Sequence, residues 1–538
     1  MTTPLGRLAV QPGTHRLAVE RALRGTGPAA PMTGVWARIS RHAEDHPNRV
    51  AVRHATLDIT YAGFARRVRQ MAAALSAQGC TAGDLVAVLM ARSADAIVAF
   101  VAVEALGAVH VPIDPAWPTA RVDELLQRIQ PRCVVSVGQD DHPVRQSGLR
   151  APGTSGWTGM PAPGAPEMPL PPRSAVPGEA RYIIHTSGST GRPKGAIVTQ
   201  EGMTNHIAAF ISNFEIDERD VVAWSAPPGF VISVWQMLAG LLVGGTVAVI
   251  DDATLGFGRL LAAHLHREGV TVLEAVPTII GWLVAARREL PALRCLVSTG
   301  EKLEPALAAS VCSALPHTRL FNVYGASETS DDVTIHCVQP ADTESPRIPI
   351  GRPIPEVTLY LLVDEGGRWR AAEHGEAGQL WVGGRSVGIG YFGEPALTQA
   401  AFFVDEFDPD SPTGRLYHTG DIARFIGGTV HCLGRADRQI KVAGVRVELD
   451  EVEATIGRLP AVARCAVVPY ADNGVTRIAV HYVPATAEPV EAVAAQARLA
   501  LPTAMVPRRW NCVEELPCNT NGKTNYRELA AIHTKGNL

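Results

Sequence analysis

Arg181-Tyr-Ile-Ile184 followed by Thr186-Ser-Gly-Ser-Thr-Gly-Arg-Pro-Lys-Gly195 is a short apolar run that empties into a turn holding three glycines, four hydroxyl side chains and two cations. The apolar run reads as a buried strand, and the turn reads as a phosphate cradle. Glycine lets backbone N–H groups approach an oxyanion closely, hydroxyls donate to its oxygens, and Lys194 supplies charge. A cradle at a strand end is where open α/β sheets bind ligands. The spacing is not that of a Walker loop, because no Gly-Lys-Ser/Thr follows the first glycine at the required distance. A solvated Gly/Ser turn is the plainer alternative for this composition.

Outward from this loop, helical and strand periods alternate. Tyr61 to Gln78 puts Phe64, Val68, Met71, Ala72 and Leu75 on one face and stops at Gly79; Leu85 to Met90 is a continuous apolar strand; Ser93 to Leu106 is a second helix closed by Gly107. This is a βαβ rhythm with a mostly parallel, buried sheet. Val234 to Ile250 reads as a buried helix turning into a strand, since Gln236, Thr246 and three glycines argue against a membrane span. Between about Arg150 and Gly178 the chain turns to Pro, Gly, Ser and Ala, which predicts an exposed connection. From Asp437 the elements shorten, and Asp450 to Glu453 predicts a capping box opening a helix through Ile456.

At 538 residues, 46% hydrophobic and 19% charged, the chain is globular and too long for one core. The net charge of -4 has no long basic run, which points away from nucleic acid and anionic membrane as partners. Met1 to Arg16 lacks a signal-peptide core. The nine cysteines show no CxxC, and only Cys512 and Cys518 stand close, so a reducing cytoplasm is expected and no metal or disulfide framework.

Five segments carry a specific resemblance: the loop above, Asn322-Val-Tyr-Gly-Ala-Ser-Glu-Thr329, Tyr417-His-Thr-Gly-Asp421, Gly434-Arg-Ala-Asp-Arg-Gln-Ile-Lys441 and Asn521-Gly-Lys523. In this order, over Val35 to Leu529, they resemble the signatures of the adenylate-forming superfamily of acyl-CoA synthetases, nonribosomal peptide synthetase adenylation domains and luciferases. Leu106 to Asp114 and Leu501 to Pro507 are most similar to the adenylation domains. The resemblance implies an α/β fold, with a large N-terminal domain of mostly parallel sheets flanked by helices and a β-rich subdomain (residues 1–436). A small, mobile α+β C-terminal domain (residues 437–538) would complete it, with Asp437 at the hinge.

By the same resemblance, Thr186, Ser187, Gly188, Ser189, Thr190, Gly191 and Lys194 hold the β- and γ-phosphates of ATP. Glu328 helps bind Mg²⁺, a hard cation that takes carboxylate and phosphate oxygens. Tyr324 lies against adenine, Asp421 accepts from the ribose hydroxyls, and Arg435 makes a second ribose or phosphate contact. Gly300, Glu301, Asn322, Gly325 and Ser327 complete the nucleotide set. Lys523 bridges the substrate carboxylate and the α-phosphate, and with Glu328 and Thr186 forms the catalytic set.

The acid pocket departs from this pattern. Amino-acid-activating relatives carry an aspartate after the phenylalanine matching Phe230, to pair with the substrate α-ammonium; here that residue is Val231. A buried ammonium without a partner costs several kcal/mol, on the order of the desolvation penalty. Ile232, Trp235, Glu274, Val297, Thr299, Val323, Asp331 and Asp332 line the rest of the pocket by this alignment. Their carboxylates suggest a cationic group placed away from the carboxyl end. Alternation along an extended segment predicts that only one of Asp331 and Asp332 faces inward. The alternative is that both are solvated and Glu274 alone, or none of the three, matters.

The implied function is ATP-dependent adenylation of a non-α or modified amino acid, such as a β-amino acid, then transfer to the phosphopantetheine thiol of a separate carrier protein. With no carrier segment after Leu529 and no condensation domain before Val35, a free-standing enzyme is expected. A ligase using CoA, acting on an acyl, aryl or keto acid, is the alternative, and a silent nucleotide-binding module is disfavoured by Lys194, Glu328, Asp421 and Lys523 together. Gly388-Ile-Gly-Tyr-Phe-Gly393 matches a dinucleotide fingerprint, but Glu394-Pro395 follows it where a small apolar helix start is needed.

Overall fold

The computed structural model describes residues 4–28, 33–136, 156–174, 176–187, 193–472, 475–517 and 524–534. The chain divides into two units. One contains residues 1–115, 126–184 and 195–436; the other contains residues 116–125, 185–194 and 437–538.

In the first unit, a nine-stranded sheet has the order Arg352–Pro353, Asp331–Cys337, Arg319–Ala326, Cys295–Ser298, Val272–Ala275, Val221–Trp224, Thr246–Val249, Val50–His54 and Leu57–Thr60. Its central pairings are parallel, and the antiparallel ones lie at the two edges. A seven-stranded sheet runs Gly390–Tyr391, Lys194–Thr199, Ala180–Thr186, Val109–Ile113, Leu85–Leu89, Cys133–Ser136 and Gly156–Thr158. A third sheet is antiparallel, built on Val357–Asp364, Gly378–Gly384 and Arg415–Ile426.

Local signals account for the helices between these sheets. Ser93 accepts the Ala96 N–H at 3.2 Å to start Ala94–Leu106, and Gly107 ends it at φ +73°, a conformation that costs glycine nothing. Thr60 likewise accepts from Gly63 N–H to open Tyr61–Ala77. The apolar Val234–Ile250 segment forms helix Ser233–Val243 and strand Thr246–Val249.

The described part of the connection, residues 158–174 and 176–178, is mostly exposed, as expected, and is tied down where Met160, Met168 and Leu170 pack on the core and Leu170 O accepts the Trp36 indole N–H at 2.8 Å. One expectation is corrected. The helix Leu449–Ile456 is not opened by an Asp450 to Glu453 capping box: its N-cap is Glu448, without a side-chain cap. Asp450 and Glu453 instead pair with Arg438, and Glu453 accepts the Val467 N–H at 2.9 Å. A bidentate cation competes successfully with the backbone for those carboxylates.

The second unit holds the hairpin Gln439–Val442 with Val445–Glu448 and a three-stranded sheet of Val462–Asp472, Val475–Pro484 and Arg509–Cys512. Leu449–Ile456, Val490–Ala500 and Tyr526–Thr534 are its helices. The GxGxxG segment is no dinucleotide loop: it forms the two-residue strand Gly390–Tyr391, antiparallel to Ala196 and Ile197.

Asp405, in the antiparallel part, gives a pH test. Its Oδ1 accepts from the Phe407 and Asp408 N–H groups at 3.2 Å, whereas Oδ2 is buried with no hydrogen-bond partner among the described residues. Burial pushes its carboxyl up to about 6. The folded state therefore binds this proton more tightly than the unfolded one, so the Asp405 contribution to stability is greatest at low pH and is lost as pH rises through about 6. Asp405→Asn keeps the acceptor and removes the charge. It is expected to raise stability at pH 7.5 by about 2 kcal/mol and to lose most of that advantage near pH 4. Thermal unfolding of both proteins at the two pH values checks this; a variant that melts lower at pH 7.5 contradicts it.

Candidate active site

The strands Arg319–Ala326 and Asp331–Cys337 meet through the short turn Ser327–Thr329, and their pairing shifts register between Tyr324 and Gly325. A side chain at Gly325 would sit 2.0 Å from the Asp331 carbonyl oxygen, so only glycine allows this approach. The Tyr324 hydroxyl donates to Asp421 Oδ2 at 2.6 Å, and Arg435 pairs with Asp421 Oδ1 at 3.1 Å. Strand register supplies the second contact, because Asp421 and Arg435 are direct cross-strand partners. Burial, then the nearby Asp421 charge, push the Tyr324 phenol well above its ordinary value, so it remains a donor. Each Asp421 oxygen retains further acceptor capacity.

Glu328 is fully buried, and its Oε1 accepts the Tyr391 hydroxyl at 2.7 Å. Its carbonyl accepts the Gly388 N–H at 2.9 Å, and a Cβ on Gly388 would lie 2.5 Å from Ile197 O. The glycine-rich segment thus backs the Glu328 turn. Asn322 donates to Pro349 O at 2.8 Å, and Glu301, after Gly300 at φ +78°, accepts from the Thr278 N–H and hydroxyl at the start of helix Pro277–Ala285. In this structure these two hold the walls. Ser327 is buried beside them.

On the neighbouring strand ends, Glu274 is wholly buried. Its Oε2 accepts from the Trp235 indole N–H at 2.6 Å and from Gln236 Nε2 at 2.9 Å. Gln236 is itself fixed, since its Oε1 accepts the Ser225 and Ala226 N–H groups at 3.0 Å. Burial and then the Asp332 charge push the Glu274 carboxyl well above the usual range. Asp332 also accepts from the Thr299 hydroxyl at 3.2 Å. Val297 and Val323 are buried alongside, and Val231 and Ile232 are half-buried at the start of helix Ser233–Val243.

The expectation that only one of Asp331 and Asp332 faces inward is overturned. Both are buried, and one carboxylate oxygen of each lies within 4.8 Å of the other and of a ring nitrogen of His206. Alternation assumes extended backbone, but Ser330 and Asp331 have φ of +58° and +91°, which turns consecutive side chains toward one space. Both aspartates are therefore dehydrated, not solvated loop residues.

Gly188, Ser189, Thr190, Gly191 and Lys523 lie outside the described residues. Within the second unit, Thr186 Oγ1 donates to Lys194 O at 3.5 Å, and Ser187 Oγ donates to Arg446 O at 2.7 Å while accepting from the Glu448 N–H at 3.2 Å. Asp437 opens the long segment of that unit and accepts from the Gln439 N–H at 3.2 Å. Three residues with a part here escaped the sequence reading. Gln236 sat inside an apolar run, Tyr391 inside the misleading glycine fingerprint, and His206 on helix Gln200–Asn213 with no motif around it.

An AMP-binding enzyme model matches residues 39–392, and an AMP-binding enzyme C-terminal domain model matches residues 451–523. The chain belongs to the AMP-binding enzyme family. It has the mixed α/β architecture of adenylation domains. The probable nonribosomal peptide synthetase CymA of Salinispora arenicola is 33% identical over 94% of this chain and 6% of its own length. Malpibaldin synthetase of Mortierella alpina is 31% identical over 92% of the chain and 9% of its own. The chain thus spans about a tenth or less of the length of these two relatives. Among solved structures, PA1221, an NRPS protein containing adenylation and PCP domains, superposes with TM-score 0.80 at 26% identity, over 93% of this chain and 84% of that one. The adenylation domain AlmE of Vibrio cholerae, solved with glycyl-adenosine-5'-phosphate, shares the fold at TM-score 0.79 and 24% identity, over 95% and 99% of the two chains. No helix among the described residues is long and apolar enough to cross a membrane.

Proposed function

We propose that this chain activates a carboxylic acid whose amine lies β to the carboxyl or farther away, and passes the acyl group to the phosphopantetheine thiol of a carrier protein. The observation that carries the substrate reading is the burial of Glu274, Asp331 and Asp332 together, with Val231 where an α-ammonium partner is expected. A cation beside them stabilises the buried Asp331 and Asp332 and favours the ionised form of Glu274, whereas a neutral aryl or keto acid supplies no such charge. The similarity to PA1221 supports a carrier thiol as acceptor.

In the first step a substrate carboxylate oxygen attacks the α-phosphorus, the bond to pyrophosphate breaks, and the acyl-adenylate forms. In the second a thiolate attacks the acyl carbon and AMP leaves. Asp421, held by Tyr324 and Arg435, orients the ribose; the Thr186 to Lys194 loop takes the β- and γ-phosphates; and Lys523 supplies positive charge as negative charge develops at the α-phosphate. Asp437 serves as the hinge between the two steps.

The buried, oriented carboxylate of Glu328 fits a hard cation. A bound Mg²⁺ would neutralise phosphate charge there. Tyr391 orients the Glu328 carboxylate, so Tyr391→Phe is expected to raise the Mg²⁺ concentration for half-maximal activity about tenfold; an unchanged Mg²⁺ titration contradicts that role. ATP–pyrophosphate exchange over a panel of carboxylic acids tests the adenylation reading, and loading of a phosphopantetheinylated carrier against free CoA tests the acceptor. Exchange with α-amino acids best, or with CoA as the sole acceptor, contradicts the proposal.

A further inference from the structure

We propose that Asp331, Asp332 and His206 form a tripodal receptor for a single primary ammonium of the substrate, with His206 a specificity-determining residue of the pocket. This rests on the amine-bearing substrate proposed above and names the chemistry of its cation.

The geometry leads to this assignment. One oxygen of each aspartate and one ring nitrogen of His206 all lie within 4.8 Å of one another. A primary ammonium has three N–H donors and no acceptor. Three acceptors at about 2.8 Å from such a nitrogen, at tetrahedral angles, stand about 4.6 Å apart. Separations of no more than 4.8 Å let one –NH₃⁺ reach all three residues. A guanidinium presents a planar fork instead, and a quaternary amine has nothing to donate.

A second observation points to a ligand independently of the carboxylates. His206 is 2% exposed, and its Nε2 has no hydrogen-bond partner among the described residues. Its Nδ1 stands 3.6 Å from Asp331 Oδ2, beyond a hydrogen bond. Burial pulls the imidazole down to about 3, so the ring is neutral and has one nitrogen free to accept. The ring is locked by its neighbours, 4.1 Å from the Phe210 ring, which in turn stands edge-on to Trp235 at 5.1 Å. Trp235 holds Glu274, the carboxylate adjoining Asp332, so one packed chain of side chains links His206 to Glu274 and Asp332.

The test is ATP–pyrophosphate exchange with the best amine-bearing acid from the panel and its N-methyl, N,N-dimethyl and N,N,N-trimethyl derivatives. Each methyl removes one donor, so kcat/KM is expected to fall about tenfold at the first methyl and about a thousandfold at the third. His206→Phe is expected to lower kcat/KM for the parent about tenfold and to bring the parent and monomethyl substrates to near parity, with His206→Asn restoring part of the discrimination. A role of His206 in folding alone would not move that ratio, and the methylation series on the wild type stands without any variant. Equal turnover of the trimethylated acid, or an unchanged ratio in His206→Phe, overturns the tripod while leaving an amine-bearing substrate in place. A stoichiometric transition metal in the purified wild type, absent from Asp331→Asn, also overturns it, in favour of a metal site. If no amine-bearing acid supports exchange and a neutral acid does, the substrate reading falls and the tripod with it.

Discussion

Lys523→Ala is expected to lower the rate of adenylate formation by about 10²–10³-fold while leaving ATP binding nearly unchanged. Removing one preoriented positive group from a developing oxyanion costs this much, because its interaction strengthens as charge accumulates on the α-phosphate. On the proposed reading, ATP in the ground state is held by groups that the substitution leaves intact, among them Asp421, which Tyr324 and Arg435 orient. The loss should therefore appear in kcat and not in the affinity for ATP. Pyrophosphate exchange measured beside calorimetric ATP binding separates the two. Near-normal exchange in the variant removes Lys523 from the catalytic set, and a matching collapse of ATP binding makes it a nucleotide anchor instead.

Glu274→Gln is expected to lower kcat/KM for the amine-bearing acid by at least about 30-fold, on the order of 2 kcal/mol, because a bound cation favours the ionised form of Glu274 next to Asp332 and glutamine cannot supply that charge. The substitution is nearly isosteric. Its oxygen can still accept from Trp235 and Gln236, and its new N–H₂ faces Asp332. Stability should not fall. Because burial raises the Glu274 carboxyl, the folded protein binds this proton more tightly than the unfolded one and loses stability as pH rises; glutamine removes that loss. Reduced selectivity with an equal or higher melting temperature at neutral pH is the expected signature. A lower melting temperature with unchanged selectivity would make Glu274 a structural carboxylate.

The nucleotide half of this site is legible in the chain because its work is done by main-chain turns and strand ends, which impose glycines and fixed spacings. Gly325 must be glycine for its strand to pass Asp331, and Asp421 meets Arg435 through register. The acid half is less legible. Glu274 and Asp332 could be named by alignment, but whether Asp331 joins them depends on positive φ at Ser330 and Asp331, which no periodicity encodes. His206 contributes through packing from a helix distant in sequence, so nothing near it marks it. The GxGxxG segment was informative in an unanticipated way, as its first glycine, Gly388, serves close backbone packing behind Glu328. Asp450 and Glu453 had the spacing of a cap but were taken by Arg438.

The most direct measurement of the central claim is ATP–pyrophosphate exchange by the wild-type chain over matched pairs of acids, each pair differing only in a distal ammonium against a methyl group. At least about a 30-fold higher kcat/KM is expected for the ammonium member when it sits β or farther from the carboxyl, with little exchange of ordinary α-amino acids. Equal or better turnover of the neutral members, or of aryl and keto acids, would contradict it.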